Sequence, residues 1–497
     1  MRSPRPPFVL ALDVGTSSAR AILFDGRANP VPGANASQPL HVRTTPDGGA
    51  EMDPHEIVGA AVSCLAGALR QLQRPLPVAA VAMSTFWHTI IGLDDRGRAI
   101  TPAYMWLDTR ATPDAQQLAR RLDPAVVHAR TGCFIHPSYA PAKLLWLRRR
   151  DPTLFRRCRR WVSPGEYIHL RLLGQAVCSP SMASGTGLFE FGQLNWYQAM
   201  LEACGIDSRQ LSPVSGAPYE AVRLRPEHAD RLAPLRDATW VPALGDGACS
   251  NVGCGCTSPS RVALMVGTSG AIRLVHPGRH LSPPSGLWCY LLDAERAVLG
   301  GALSNGGNLI AWLRAAFRIT AAEERVAAQI RPDSHGLTFV PLLAGERSPG
   351  WAGRATGTLH GLTLATRPAH VLRAGMEAVA CRFAAVHELL LPHAHPEHQL
   401  VATGAALLGS PAWLQMMADA IGRPVAASRE REASCRGAAL MALESIGALG
   451  SVEAAPAHVG KVYQPDPESH ARYAAERERL SRWYSLAMAQ DAPSHPL

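Results

Sequence analysis

One short phrase occurs twice in this chain, once in each half, and few folds have a use for such a repeat. Residues 8–24 read FVLALDVGTSSARAILF, and residues 262–275 read VALMVGTSGAIRLV. Each is an apolar run, then Gly-Thr-Ser, then a second apolar run. That pattern predicts a β-hairpin with a tight polar tip. A tip of Gly, Thr and Ser offers backbone N–H groups and hydroxyls to an anion. Two tips from two half-chains could hold a phosphate chain between them, although two ordinary surface hairpins would carry the same residues. Asp13 precedes the first tip, and a carboxylate beside a phosphate cradle suits Mg²⁺.

With 497 residues, the chain exceeds one hydrophobic core and should form at least two domains. Hydrophobic residues make up 47% and charged residues 18%, a globular balance. No apolar run reaches membrane-spanning length. The N-terminal stretch MRSPRPPFVLALDVG is interrupted by Asp13 and reads as a first strand rather than a secretory leader, so the expectation is a cytoplasmic protein. The eleven cysteines are scattered and odd in number, as expected of reduced thiols. Cys249, Cys254 and Cys256 lack paired C-x₂-C spacing and sit in what reads as a Gly/Ser-rich turn, so no zinc is expected. The net charge is +9 with 6% aromatic residues. The arginine knot RRRDPTLFRRCRR (148–160) reads as a solvated helical face with Leu154 and Phe155 inward, not as a nucleic-acid site.

Strand and helix signals alternate along the chain. Strands are expected at 8–12, 19–24 and 78–83, with a helix at 54–73 started by Asp53-Pro54. Further helices are expected at 113–122, 140–150, 163–173 and 196–204. The proline- and charge-rich stretch 217–239 reads as the approach to a domain boundary. Strands then restart at 262, followed by helices at 306–318, 320–330, 367–391, 411–421 and 434–447. The tail after 465 starts helical and ends in the disordered-looking DAPSHPL. Alternation in both halves implies two α/β domains with a cleft between them.

Asp246 stands in VPALGDGACSNVGCG (241–255), flanked by Gly245 and Gly247. The glycines would let a substrate approach the backbone, and the carboxylate could take a proton from a hydroxyl. The plainer alternative is a helix N-cap. Taken together, these residues resemble the FGGY family of carbohydrate kinases, over residues 8–450. DVGTSSAR (13–20) and GTSGAIR (267–273) resemble the family's two phosphate motifs. GDGACSNVG (245–253) resembles its catalytic aspartate loop, GERSPGW (345–351) its second signature, and SPAWLQMMADAIGRPV (410–425) its adenosine-side motif. TGCFIHPSYAPAKLLWL (131–147), ASGTGLF (183–189) and LNWY (194–197) are similar to stretches of the gluconate kinases in that family.

The resemblance implies two actin/hexokinase-type (ribonuclease H-like) ATPase domains with an interdomain cleft, over 1–258 and 259–465, followed by a C-terminal helix and tail (466–497). It implies ATP and Mg²⁺ as cofactors and phosphorylation of a sugar acid, D-gluconate to 6-phosphogluconate first. Xylulose or another sugar or polyol is the alternative substrate, and a sugar-binding sensor with weak turnover is a further one. Asp246 is then the general base and Asp13 the metal ligand. Thr16, Ser17, Ser18, Arg20, Gly267, Thr268, Gly307, Ala406 and Ser410 line the nucleotide, and Trp87, His88, Trp106 and Asp108 meet the sugar. Arg110 and Lys143 are the cations expected near a substrate carboxylate. Partners are small molecules, with no nucleic acid and no membrane, and a homodimer is left open. Two departures from the family pattern stand out. Ala405 and Ala406 replace a Gly-Gly pair in the adenosine loop, and Trp87 replaces a methionine in the substrate loop.

Overall fold

The computed structural model describes residues 4–490 apart from 73–75, 221 and 354. The tail DAPSHPL falls outside them. Both predicted hairpins form. Phe8–Val14 pairs antiparallel with Ser18–Phe24, and Asp13 lies opposite Arg20. Arg261–Val266 pairs antiparallel with Gly270–His276, and Val266 lies opposite Gly270. Each tip is closed by a glycine N–H. Gly15 donates to Ser18 O (3.0 Å), and Gly267 donates to Ser269 O (2.9 Å).

Each hairpin seeds a sheet of the same design. In the first sheet the order is Pro30–Pro39, Ser18–Phe24, Phe8–Val14, Val78–Thr85, with Thr239–Trp240 and Leu244–Gly245 both pairing on Val78–Thr85. The first three strands are antiparallel and the later pairings parallel. The second sheet repeats that order with Ala297–Leu303, Gly270–His276, Arg261–Val266, Gln399–Thr403 and Val425–Ser428. Its pairings follow the same antiparallel-then-parallel pattern. Trp288–Leu291 and Val459–Tyr463 extend its two edges. The molecule is therefore two copies of one mixed α/β unit, the ribonuclease H-like arrangement of actin and hexokinase. The central strands are buried along nearly their whole length, as parallel strands covered on both faces must be.

The structure redraws two stretches of the sequence reading. Residues 217–239 do not lead out of the first domain. They hold short helical turns at Pro226–Ala229 and Ala233–Leu235 and return the chain to the first sheet at Thr239–Trp240. Residues around Cys249 form the helix Asp246–Gly253 rather than a turn. Their glycines and serine mask the helical signal, because all are poor helix formers. All eleven cysteines are free and buried. The arginine knot spans two helices, Ala140–Arg150 and Pro152–Arg157, broken at Asp151, with Phe155 buried as expected.

The glycines of Asp246–Gly253 have a packing role. This helix crosses Ala433–Ser445 from the second domain at backbone contact. A Cβ on Gly253 would lie 1.8 Å from Ala433 O, and one on Gly437 would lie 1.8 Å from Cys249 O. The buried Arg436 guanidinium locks the crossing by donating to Gly253 O (2.5 Å), Pro456 O (3.0 Å) and Ala28 O (3.4 Å). Gly→Ala inside a helix normally stabilises by about 0.5–1 kcal/mol. That gain is expected for Gly59→Ala, where a Cβ meets nothing within 4 Å. Gly437→Ala must instead push two helices apart and is expected to cost at least about 3 kcal/mol. Thermal melting of the two variants side by side checks this; equal melting temperatures would contradict it.

Candidate active site

Two connected cavities open where the hairpin tips of the two sheets face each other. The smaller, about 350 Å³, is walled by Asp13, Thr16, Ser17, Ser18 and Arg20 from the first hairpin and by Ser269, Gly270 and Arg273 from the second. Asp246, Trp87, His88 and Trp106 complete it. The larger, about 930 Å³, continues past Gly267, Thr268, Ser304 and Asn308. Thr16, Trp106, Ser269, Arg347 and Trp351 border both cavities.

Asp246 is the first residue of its helix, with Gly245 as the N-cap residue. Its Oδ1 accepts from Gly247 N–H (2.7 Å), so one oxygen does a cap's work while the side chain still borders the cavity. A helix N-terminus favours the carboxylate. Burial nevertheless pushes its pKa up, opposed by the Arg273 guanidinium. Asp13 is the penultimate residue of its strand, beneath the first tip. Its Oδ1 is buried with no hydrogen-bond partner, and burial, reinforced by the charge of Asp246, pushes its pKa up to about 7. At the matching place in the second hairpin stands Met265, so only the first copy carries a carboxylate. An orphaned, destabilised carboxylate beside two polar tips fits a hydrated divalent cation. Among the described residues no three His, Cys, Asp or Glu gather as a metal cluster, so Asp13 would share the ion with water and phosphate oxygens.

The glycines beside Asp246 do not open a path for substrate. The indole of Trp87 fills that space: a Cβ on Gly245 would lie 1.9 Å from it, and one on Gly247 2.6 Å. Trp87 Nε1–H donates to Ser181 O (2.8 Å), which fixes the ring as a wall. His88 follows with φ +61, a strained value for a non-glycine residue. Lys143 holds that conformation, its Nζ donating to His88 O and Ser138 O (both 2.5 Å). His88 Nδ1 lies 2.5 Å from Gly185 O. A carbonyl only accepts, so Nδ1 carries the proton and Nε2 faces Tyr290 Oη (3.4 Å) as an acceptor. Burial drops the His88 pKa to about 3, so the ring is neutral. Tyr290 Oη in turn lies 2.6 Å from Tyr139 Oη.

Several expected groups do other work. Asp108 borders neither cavity; its carboxylate is taken by Arg110 Nε and Nη2 and by the N–H of Ala50. Arg110 is engaged there and with Glu51 (2.6 Å), and Lys143 is spent on the two carbonyls, so neither is a free cation. Arg20 borders the cavity but pairs with Glu432 of the second domain (2.9 Å). Ser410 caps its helix by accepting from Trp413 N–H (3.3 Å). Gly307 N–H donates to Gly267 O (2.9 Å), and a Cβ on Gly307 would lie 2.9 Å from the Ala406 Cβ. Those three residues therefore meet behind the second tip. The alanine pair is unstrained, because the left-handed backbone falls at Gly404 (φ +88) and Ala405–Leu408 is one helical turn.

Sequence reasoning passed over Arg273 and Arg347, although both lie inside motifs it quoted. Arg273 Nε–H donates to Asn251 Oδ1 (3.0 Å). Arg347 lies 5.5 Å from the centre of the Trp106 ring. Next to it, Trp351 takes φ +55 and stacks on Phe134 at 4.2 Å. Arginine and tryptophan in GERSPGW were the signal; what side of the loop they face was not readable from it.

This geometry agrees with the comparisons. Residues 8–253 match the FGGY family of carbohydrate kinases, N-terminal domain, and residues 262–445 match its C-terminal domain. A gluconokinase of Bacillus subtilis (strain 168) is 29% identical over 475 residues, covering 93% of this chain and 92% of that protein. The crystal structure of gluconate kinase from Lactobacillus acidophilus superposes with a TM-score of 0.89 at 27% identity, covering 97% and 98% of the two chains. Ligand-bound xylulose kinase from the same organism superposes with 0.90, also at 27%, with the same coverage. With both domain matches in sequence order and the same fold throughout, the chain belongs to the FGGY family of carbohydrate kinases.

Proposed function

We propose that this kinase transfers the γ-phosphoryl group of ATP to a hydroxyl of a sugar acid, D-gluconate first, giving 6-phosphogluconate. The observation that carries the phosphoryl-transfer part is a half-buried carboxylate, Asp246, that shares the smaller cavity with Thr16, Ser17 and Ser18 of the first tip and Ser269 of the second, next to the larger cavity lined by Gly267 and Thr268. The sugar-acid part is supported by the likeness to gluconokinases and by two arginines, Arg273 and Arg347, on the cavity wall. Phosphoryl transfer asks a protein for alignment and charge neutralisation more than for covalent chemistry. Thr16, Ser17 and Ser18 hold one side of the phosphate chain; Gly267 and Thr268 hold the other. Trp87 and Trp106 give flat walls for the C–H faces of the sugar, and His88 borders the same cavity. Asp246, its pKa raised by burial, takes the proton of the attacking hydroxyl. Mg²⁺ supplies charge neutralisation at the phosphate oxygens when bound, and Asp13 holds it through water.

Asp246→Asn keeps the size of the side chain and removes the base. Its kcat should fall by at least about 10²-fold while nucleotide binding persists; near-normal turnover would remove Asp246 from the role. The substrate reading is tested by kcat/KM for gluconate against xylulose, ribulose and glycerol under one set of conditions. Gluconate should lead, and any neutral sugar that beats it by tenfold, about 1.4 kcal/mol in the transition state, refutes gluconate while the kinase activity stands.

Asp13 gives a stability test. Its folded pKa of about 7 lies above the ordinary 3.8, so the native state holds a proton that the unfolded chain releases. Without metal, stability is full below pH 4, falls as pH rises toward 7, and stays low above it. Asp13→Asn removes that loss and should stabilise the metal-free protein at pH 8 by about 1–2 kcal/mol after allowance for solvent screening. Added Mg²⁺ with nucleotide should raise the melting temperature of the natural protein more than that of the variant. An Asn variant that melts lower at pH 8, or gains equally from Mg²⁺, contradicts the assignment.

A further inference from the structure

We propose that Arg347 is the group that receives the carboxylate of the substrate and so sets the preference for an acid over a neutral sugar. The inference rests on the sugar-acid reading above. A carboxylate entering a cavity loses its water and needs a cation that is not already taken. Five cationic side chains lie near the site. Arg20 is paired with Glu432. Arg110 is paired with Asp108 and Glu51. Lys143 is bound to two carbonyls and borders neither cavity. Arg273 is hydrogen-bonded to Asn251 and faces the charge of Asp246. Arg347 alone combines access to both cavities with no carboxylate in ion-pair contact among the described residues. Its one protein acceptor is Leu303 O, 3.0 Å from Nη2.

The neighbouring glutamate does not quench it. Both oxygens of Glu346 are occupied, Oε1 by Arg382 and Oε2 by Tyr484 Oη (2.6 Å) of the C-terminal helix. The loop that carries Arg347 is anchored on either side. Ser348 N–H donates to Ala302 O (2.9 Å), Ser348 Oγ accepts from Ala302 N–H (3.1 Å), and Asn305 Nδ2–H donates to Gly345 O (3.1 Å). The guanidinium therefore arrives in the cavity at a fixed place, over the Trp106 ring. A rigid fork of donors suits a carboxylate better than a point charge would. A neutral sugar seated there would leave a desolvated cation without its counter-charge, and a site with an unpaired buried group rejects such a ligand strongly.

D-gluconamide, which keeps every hydroxyl of gluconate and replaces the charged carboxylate by a neutral carboxamide of the same shape, is the probe. The natural enzyme should use gluconate over gluconamide by at least about 10²-fold in kcat/KM. Arg347→Gln should lower kcat/KM for gluconate by at least about 10²-fold and for gluconamide by no more than about fivefold, and Arg347→Lys should fall between the two on gluconate. A natural enzyme that takes both acceptors equally well overturns the proposal without any variant. Equal losses on both acceptors in Arg347→Gln also overturn it, and leave the sugar-acid reading intact. If Arg347→Gln does not fold, Arg347→Lys with unchanged melting decides by the same comparison. A natural enzyme that phosphorylates neutral sugars but no aldonate defeats the sugar-acid reading itself, and the proposal with it.

Discussion

Everything at the site hangs on two helices touching at their backbones. Asp246–Gly253 belongs to the first domain and Ala433–Ser445 to the second, and Gly253 and Gly437 let each press on a carbonyl of the other. Packing distance between helices is set by the side chains at the contact, and at Gly253 and Gly437 there are none. The first residue of one of these helices is Asp246. A contact that fixes the helix fixes the carboxylate, and it does so at the junction where both hairpin tips meet. Arg436, buried in the same contact, donates to backbone carbonyls of both halves, so the joint is polar and directional rather than merely close.

The charges around the cavity divide into spent and unspent. Glu51, Asp108 and Arg110 form a closed set beside the substrate segments. Glu346, Arg382 and Tyr484 form another behind the GERSPGW loop. What remains toward the cavity is Asp13 with Oδ1 unpartnered, Asp246 with one oxygen occupied, and Arg273 and Arg347 with no acid in ion-pair contact among the described residues. Unsatisfied groups are costly in a fold and are commonly kept for a ligand. Two of the strained non-glycine residues, His88 and Trp351, also border this cavity, which agrees with strain being concentrated where function is.

The fold was legible because its signal is repetitive. A strand–tip–strand phrase that occurs twice, each time followed by alternating helices and strands, leaves little choice but two copies of one α/β unit. The repeat also drew attention to Asp13 and Thr16, whereas Asp246 stood out by its flanking glycines and by the family resemblance; all three border one cavity. The helix Asp246–Gly253 entered only as the plainer alternative for Asp246, because the glycines that permit its close contact also lower its helical propensity. Partnership was not legible. Asp108 and Arg110 stand two apart in a substrate segment and look available, yet they neutralise each other. Arg347 looked like one residue of a signature, yet it borders both cavities with no acid in ion-pair contact among the described residues. Sequence spacing identifies which residues are near a site; only the fold says which of their charges are already used.

The central claim is that one half-buried carboxylate, Asp246, works between two hairpin tips proposed to hold the phosphate chain. The most direct measurement is a crystal structure of the ternary complex with gluconate and a non-hydrolysable ATP analogue. The account predicts the acceptor hydroxyl about 2.6–3.2 Å from an Asp246 oxygen, with the phosphate chain lying between the tips at Thr16–Ser18 and Gly267–Thr268. A sugar bound away from Asp246, or a phosphate chain that touches only one of the two tips, would contradict it.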